Sequence, residues 1–251
     1  MSIKSDVNAN PVFLAAILFL ATSLTLRSQS EISVAPSQQS KIFDQKITVP
    51  ARLEYLLSLP TDYGKSRKSW PLVLFLHGSG ESGKDLNKVK VHGPPKLAEA
   101  NGSFPFILVS PQSPGRGWDP HVLNALLDSV IKKYRVDKNR VYVTGLSMGG
   151  YGTWALAAAY PGKFAALAPI CGGGNPADAD KLAHLPVWVF HGAKDTTVPS
   201  KRSEEMVEAL RAAGGNPKFT LYPDAGHDSW TATYDDPEFY KWLLVQKRIR
   251  R

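Results

Sequence analysis

One serine, Ser147, stands between Gly145 and Gly149 in TGLSMGG, directly after the β-branched run RVYV. A G-x-S-x-G match is weak by itself: with 20 glycines in 251 residues it arises by chance in about one such chain in ten. Its flanks carry more. A buried-looking strand precedes it and the helix-compatible YGTWALAAAY follows, the context in which a serine sits on a turn sharp enough to present its hydroxyl. Glycines two residues to either side let strand and helix approach without a Cβ clash. A structural glycine-rich turn is the plain alternative.

A serine hydroxyl at neutral pH needs a base, and imidazole has the suitable pKa. Six histidines compete. His77 and His191 end apolar runs before glycine and read as hydrogen-bonded structural residues, while His92, His121 and His184 read as exposed. His227, in YPDAGHDSW after the last strand-like run, is the expected base. Asp195, in FHGAKDTTVP, is the expected partner behind the imidazole, because Asp224 and Asp228 are too close to His227 in sequence to reach behind its ring. The order Ser147, Asp195, His227 is then serine, acid, histidine. An oxyanion formed at Ser147 also needs donors, and the expected ones are the backbone N–H groups of Met148 and of Ser79 in HGSGESG. Trp118 and Trp230, on loops beside these residues, are candidate substrate-binding walls for aromatic acyl groups or sugars, with ordinary loop packing as the alternative. Asp178 and Asp180 form a D-x-D without further ligands and read as a solvated loop, so no metal site is expected.

The elements that must position these residues are strands alternating with helices. WPLVLFLHG, FPFILVSP, RVYVTG and LPVWVFHG are continuous apolar runs, as expected of strands covered on both faces of a parallel sheet. KFTLYP adds a further strand, and DQKITVPARLEYLLSLP predicts two more around Pro50-Ala51. Between them, HVLNALLDSVIKKY places Leu123, Leu126, Leu127, Val130, Ile131 and Tyr134 on one helical face. SKRSEEMVEALRAAGG predicts a helix capped by Ser200 and stopped by Gly214, and DPEFYKWLLVQKR one capped by Asp236 with Pro237 at N1. In such sheets ligands bind beyond the carboxyl ends of the strands, where every candidate above falls.

A chain of 251 residues that is 43% hydrophobic can bury one good-sized core. Residues 12–26, VFLAAILFLATSLTL, are short for a membrane span of about 20 residues and suit a signal segment. The expected organisation is a signal peptide or N-terminal anchor over 1–30, a polar linker over 31–43 and a catalytic domain over 44–251, in a protein that is exported to the periplasm or secreted. The single cysteine, Cys171, excludes an internal disulfide and reads as a small core residue. The net charge of +8 comes without a nucleic-acid motif, so it reads as a solvated basic surface and no nucleic-acid partner is expected. Membrane association is expected only through the N-terminal segment.

From about residue 50 onward the chain resembles the α/β-hydrolase superfamily, and within it the predicted peptidases and carboxylesterases related to prolyl oligopeptidase catalytic domains, phospholipase/carboxylesterases and feruloyl esterases. LFLHGSGESG, GPPKL, GLSMGGYGTW, FHGAKDTTVP and GHDSW…DPEFYKWLL carry the resemblance. It implies an α/β fold with a mostly parallel central sheet of about eight strands and helices on both faces. It also implies the roles given above to Ser147, Asp195, His227 and the Ser79 and Met148 amides, with no cofactor. Only a short stretch separates Cys171 from Pro186, leaving no room for a large lid domain. The function expected is hydrolysis of carboxylic esters through an acyl-enzyme, on small-molecule or polymer-linked, including aromatic, esters. A serine peptidase using the same residues and a non-catalytic binding protein of the same fold are the alternatives.

Overall fold

The computed structural model describes residues 42–45, 48 and 50–248. The expected signal segment lies outside the described residues, as does all of the expected linker except 42 and 43. The chain divides into Met1–Thr48 and Val49–Arg251, and the second unit holds every element that follows.

In chain order these are β1 (Tyr55–Ser58), β2 (Trp70–Leu76), α1 (Gly93–Asn101), β3 (Ile107–Pro111), α2 (Pro120–Lys133), β4 (Val136–Leu146) and α3 (Met148–Ala159). Then come β5 (Ala166–Ile170), α4 (Ala179–Leu182), β6 (Trp188–Gly192), α5 (Lys201–Ala212), β7 (Lys218–Tyr222), α6 (Trp230–Asp235) and α7 (Pro237–Val245). One sheet runs β1-β3-β2-β4-β5-β6-β7, antiparallel only at the β1–β3 edge.

Alternate residues of the central strands feed two cores. Leu72, Leu74 and Leu76 of β2, with Val141 and Val143 of β4, pack against Leu123, Leu127 and Val130 of α2 and Trp154 and Leu156 of α3. Val73, Phe75 and Tyr142 face the other way, toward Tyr234 of α6 and Phe239 and Leu243 of α7. Both faces of the sheet are therefore dry, which is why these strands read as unbroken apolar runs. The helical face expected for α2 is the one that packs, with Leu126, Ile131 and Tyr134 at its half-buried margin. Asp236 caps α7 by accepting from the Glu238 N–H, and Gly214 follows α5 at φ +82°. Ser200 holds the N-cap position of α5, but its hydroxyl donates to Glu204 instead.

Two expectations are corrected and one strand is added. The sheet has seven strands among the described residues, not about eight. The segment around Pro50-Ala51 supplies one strand, β1, rather than two: Pro50 has no N–H for a ladder, and residues 50–54 run without regular structure before Tyr55 pairs with Pro111. β5, ALAPI, was not expected as a strand, since alanines favour helices and Pro169 lacks a donor, yet all five residues are buried between β4 and β6.

The chain moves from β2 outward to β3 and returns past β2 to β4, so the strand order reverses between β2 and β4. The crevice beyond that switch point is where open α/β sheets bind ligands. Leu76 pairs with Gly145, which brings the HGSG loop and the GLSMG turn side by side. Their closeness depends on missing side chains. A Cβ on Gly149 would overlap the Leu76 carbonyl, and one on Gly145 would lie 2.7 Å from the same oxygen. Gly149→Ala is expected to cost about 2–3 kcal/mol of stability, at the upper end for overpacking, because the obstacle is backbone that cannot rotate away. Urea denaturation of the variant measures it; a loss below 1 kcal/mol contradicts the close-approach account.

Candidate active site

Ser147 occupies the break between β4 and α3 at φ 52° and ψ −115°, a region that L-residues rarely enter. Such backbone costs on the order of 1–3 kcal/mol and persists only when its surroundings fix it. Here the Ser147 N–H donates to Ile170 O at 2.9 Å, tying the turn to the end of β5, and it also faces Cys171 Sγ at 3.3 Å. The Ser147 carbonyl accepts from Tyr151 N–H as the first turn of α3. The hydroxyl is left projecting from the sheet, half-buried.

His227 Nε2 lies 2.9 Å from Ser147 Oγ, and His227 Nδ1 lies 2.7 Å from Asp195 Oδ2. The structure therefore brings Ser147, His227 and Asp195 into one hydrogen-bonded series. Asp195 sits in the turn after β6, with Oδ1 accepting from the Thr197 and Val198 N–H groups, 2.9 Å each. Burial works to raise its pKa. The His227 hydrogen bond and the two amides outweigh that and hold the carboxyl below its ordinary value. A carboxylate so fixed makes Nδ1 the proton-bearing nitrogen and leaves Nε2 free to accept from Ser147. The loop carrying His227 rests on the same turn, with Lys194 N–H donating to Ala225 O. Asp224 pairs with Lys194 and Asp228 caps Thr231, so neither competes for the imidazole. His191 is buried and hydrogen-bonds Ser203 and Val198, and its Nε2 also lies 3.2 Å from Asp195 Oδ2.

Met148 opens α3 and Ser79 opens a one-turn 3₁₀ helix, Ser79–Glu81, so helix geometry assigns neither N–H an intrahelical acceptor. His77 orients the second of these. Its Nε2 accepts from Ser113 N–H at 3.0 Å, so Nδ1 carries the proton and donates to Gly78 O at 2.5 Å. In a trans peptide the carbonyl and the following N–H point in opposite directions. Pinning Gly78 O inward thus turns Ser79 N–H outward. Burial lowers the His77 pKa, which keeps the ring neutral and this tautomer intact.

Comparisons with known proteins bear on the fold. The Dienelactone hydrolase family model matches residues 119–240. A thermostable esterase of known structure superposes with a TM-score of 0.67 at 33% identity, over 78% of this chain and 60% of that one. The chain has the α/β-hydrolase fold. "Probable feruloyl esterase C" of Aspergillus terreus is 29% identical over 77% of this chain and 74% of that protein. A bifunctional acetylxylan esterase/xylanase of Neocallimastix patriciarum is 30% identical over 56% of this chain, which spans only 22% of that larger protein.

The two tryptophans of this α/β hydrolase are placed differently. Trp230 opens α6 and meets the His227 ring edge-on, with centroids 5.3 Å apart at 90°. Trp118 lies farther from the base: its Nε1–H donates to His77 O at 3.3 Å, and its ring lies over Gly152 of α3. Beside it runs a groove of about 510 Å³ lined by Leu53, Pro114, Arg116 and Trp118. Met148 borders this stretch, since Gly117 N–H points at its Sδ. Cys171 is buried beneath Ser147, and burial pushes its thiol up to about 12, so it is a packing residue and no nucleophile. His92 departs from expectation. His121 and His184 are exposed, but His92 is half-buried between Glu81 and Trp230. Sequence reasoning passed over Glu81 as well; its place inside HGSGESG was the available signal.

Two outcomes follow for this hydrolase. Ser147→Gly removes the side chain from a backbone that glycine tolerates and is expected to raise unfolding free energy by about 1 kcal/mol while abolishing hydrolysis. Equal or lower stability in urea contradicts the strain. Because the folded pKa of Asp195 is lowered, its contribution to stability is present above the unfolded value near about pH 4 and is lost as pH falls through the folded value. The stability difference between wild type and Asp195→Asn is therefore expected to shrink below about pH 4. A difference that stays constant from pH 6 to pH 3 refutes it.

Proposed function

We propose that the protein is an ester-cleaving serine hydrolase in which Ser147 is the nucleophile, His227 the general base and acid, and Asp195 the residue that orients and charge-stabilises the imidazole. The observation that carries this reading is the hydrogen-bonded series from Asp195 through His227 to a serine held on a strained strand-to-helix turn. Ser147 Oγ attacks the acyl carbonyl while His227 Nε2 takes its proton. The carbonyl oxygen becomes an oxyanion that the Met148 and Ser79 N–H groups bind, and His227 then protonates the departing alcohol. Water, activated by the same imidazole, attacks the acyl-enzyme and releases the acid. Each proton has a donor and an acceptor among these residues, and no cofactor takes part.

The substrates we infer are soluble or polymer-linked esters, aromatic acyl groups among them. Three features support this reading: relatives named as feruloyl and acetylxylan esterases, Trp230 against the base, and the open groove walled by Trp118. In it Trp230 flanks the acyl group and Trp118 a flat ring or sugar. The apolar run at 12–26 supports export, and no helix among the described residues is long and apolar enough to cross a membrane.

A fluorophosphonate probe is expected to label the wild type and not Ser147→Ala, whose kcat on p-nitrophenyl esters falls by about 10⁴-fold or more. Persistent labelling of that variant rules out Ser147. A panel of p-nitrophenyl acetate, butyrate and octanoate, methyl ferulate and a proline-containing anilide reads the substrate. Turnover of the anilide above every ester overturns the esterase assignment in favour of a peptidase.

A further inference from the structure

Between the base and the Gly78–Ser79 peptide lies a series of side chains that the hydrolytic steps leave unused. Glu81 ends the 3₁₀ turn that Ser79 begins; it is 8% exposed, and its buried Oε2 has no hydrogen-bond partner. A buried carboxylate without hydrogen bonds is unfavourable, so its presence calls for a cause. Two imidazoles flank it. His77 Nδ1 lies 3.9 Å from Oε2 and His92 Nε2 lies 3.8 Å from Oε1. Both separations exceed hydrogen-bond length, so the attraction acts through charge and dipole in a site largely removed from water.

Each imidazole leads to one half of the proposed machinery. His77 donates to Gly78 O and thereby aims Ser79 N–H. The negative carboxylate beside Nδ1 favours the tautomer with its proton on that nitrogen, which is the one this aim requires. His92, at the start of α1, meets the Trp230 ring at 5.4 Å and 63°, and Trp230 in turn meets His227 at 5.3 Å and 90°. Both contacts are edge-to-face, a geometry that fixes ring planes as well as distance.

We propose that Glu81 is a positioning residue for the hydrolytic site, aligning the Ser79 oxyanion amide through His77 and the His227 ring plane through His92 and Trp230. It touches neither substrate nor reacting atoms. The inference rests on the assignment of Ser147, His227 and the two amides made above. An oxyanion draws far more from an aligned donor than a ground-state carbonyl does, so misalignment weakens transition-state binding and leaves substrate binding nearly unchanged.

The test uses Glu81→Gln, which keeps the shape and removes the charge, and His92→Phe, which keeps the ring against Trp230 and removes the nitrogen facing Glu81. Steady-state kinetics on p-nitrophenyl butyrate, the inhibition constant of an arylboronic acid that mimics the tetrahedral intermediate, and Tm are read for each. For Glu81→Gln, kcat is expected to fall about tenfold or more, the boronate constant to rise by the same factor, and KM to stay within twofold. His92→Phe is expected to change both in the same direction by a smaller factor. Glu81→Asp, which keeps the charge, recovers part of the loss. Unchanged kcat and boronate affinity in Glu81→Gln overturn the proposal, as does a change confined to Tm and KM, which marks a purely structural residue. An unaffected His92→Phe overturns the branch through Trp230, and it carries the test alone should Glu81→Gln not fold. Wild type that neither hydrolyses esters nor takes the fluorophosphonate at Ser147 fails the earlier assignment instead, a result distinct from an active wild type matched by Glu81→Gln.

Discussion

Everything in the site depends on how little space separates the ends of β2 and β4. Gly149 passes so close to the Leu76 carbonyl that a methyl group has no place there, and Gly145 lies against the same oxygen. Only at that distance can the chain turn from strand to helix within one residue, and that residue, Ser147, accepts a backbone conformation it would avoid elsewhere. The strain is held from three sides: the Leu76–Gly145 register, the Ser147 N–H bond to Ile170 O, and the first turn of α3. A packed sheet with a dry core on each face supplies the rigidity, because neither β2 nor β4 can shift without disturbing both cores.

The same constraint divides the work among strand ends. β2 supplies the peptide aimed by His77, β4 the serine, β6 the acid and β7 the loop with the imidazole. None of these groups relies on a long flexible side chain for its position. Asp195 is fixed by two backbone amides before it meets His227, and the Ser79 N–H is fixed by a hydrogen bond made one atom group away, at Gly78 O. Preorganised donors of this kind need no reorganisation as charge develops, which is what makes them effective in a water-poor site. Cys171 has the companion role beneath the turn. It is the other non-glycine residue with positive φ among the described residues, at 41°, and its thiol packs against Ser147 N–H rather than reacting.

Legibility in the sequence follows the range of the interaction. The turn around Ser147 was readable because its steric demand falls on residues two positions away, and Asp195 and His227 because each stands just past an apolar run. β2, β3 and β6 announced themselves by near-continuous burial, as did the second half of β4. β5 did not: its alanines and Pro169 contradict strand propensity, and it is a strand only because β4 and β6 pair with it. α1 was hidden in a similar way, since Gly93-Pro94-Pro95 reads as a loop although proline is acceptable in a first helical turn. His92 was unreadable for a different reason. Nothing local distinguishes a histidine before GPPKL from any exposed one, and its half-burial comes from Trp230, far along the chain.

Trp118 shows how the rigid site and its surroundings are joined. Its ring rests on Gly152, one helical turn beyond the strained serine, and its indole N–H takes His77 O, the carbonyl next to the imidazole that orients Gly78. A residue at 152 with a Cβ would push this ring away. The groove beside Trp118 is therefore built directly onto α3 and the end of β2, not hung on an independent loop. The Gly117 N–H contact with Met148 Sδ ties the same stretch to the residue that follows Ser147. Whatever fills the groove presses on elements that already define the reacting geometry. Under the proposed function, a contact made there reaches the Met148 and Ser79 amides through a few packed atoms, so recognition and alignment would share one wall.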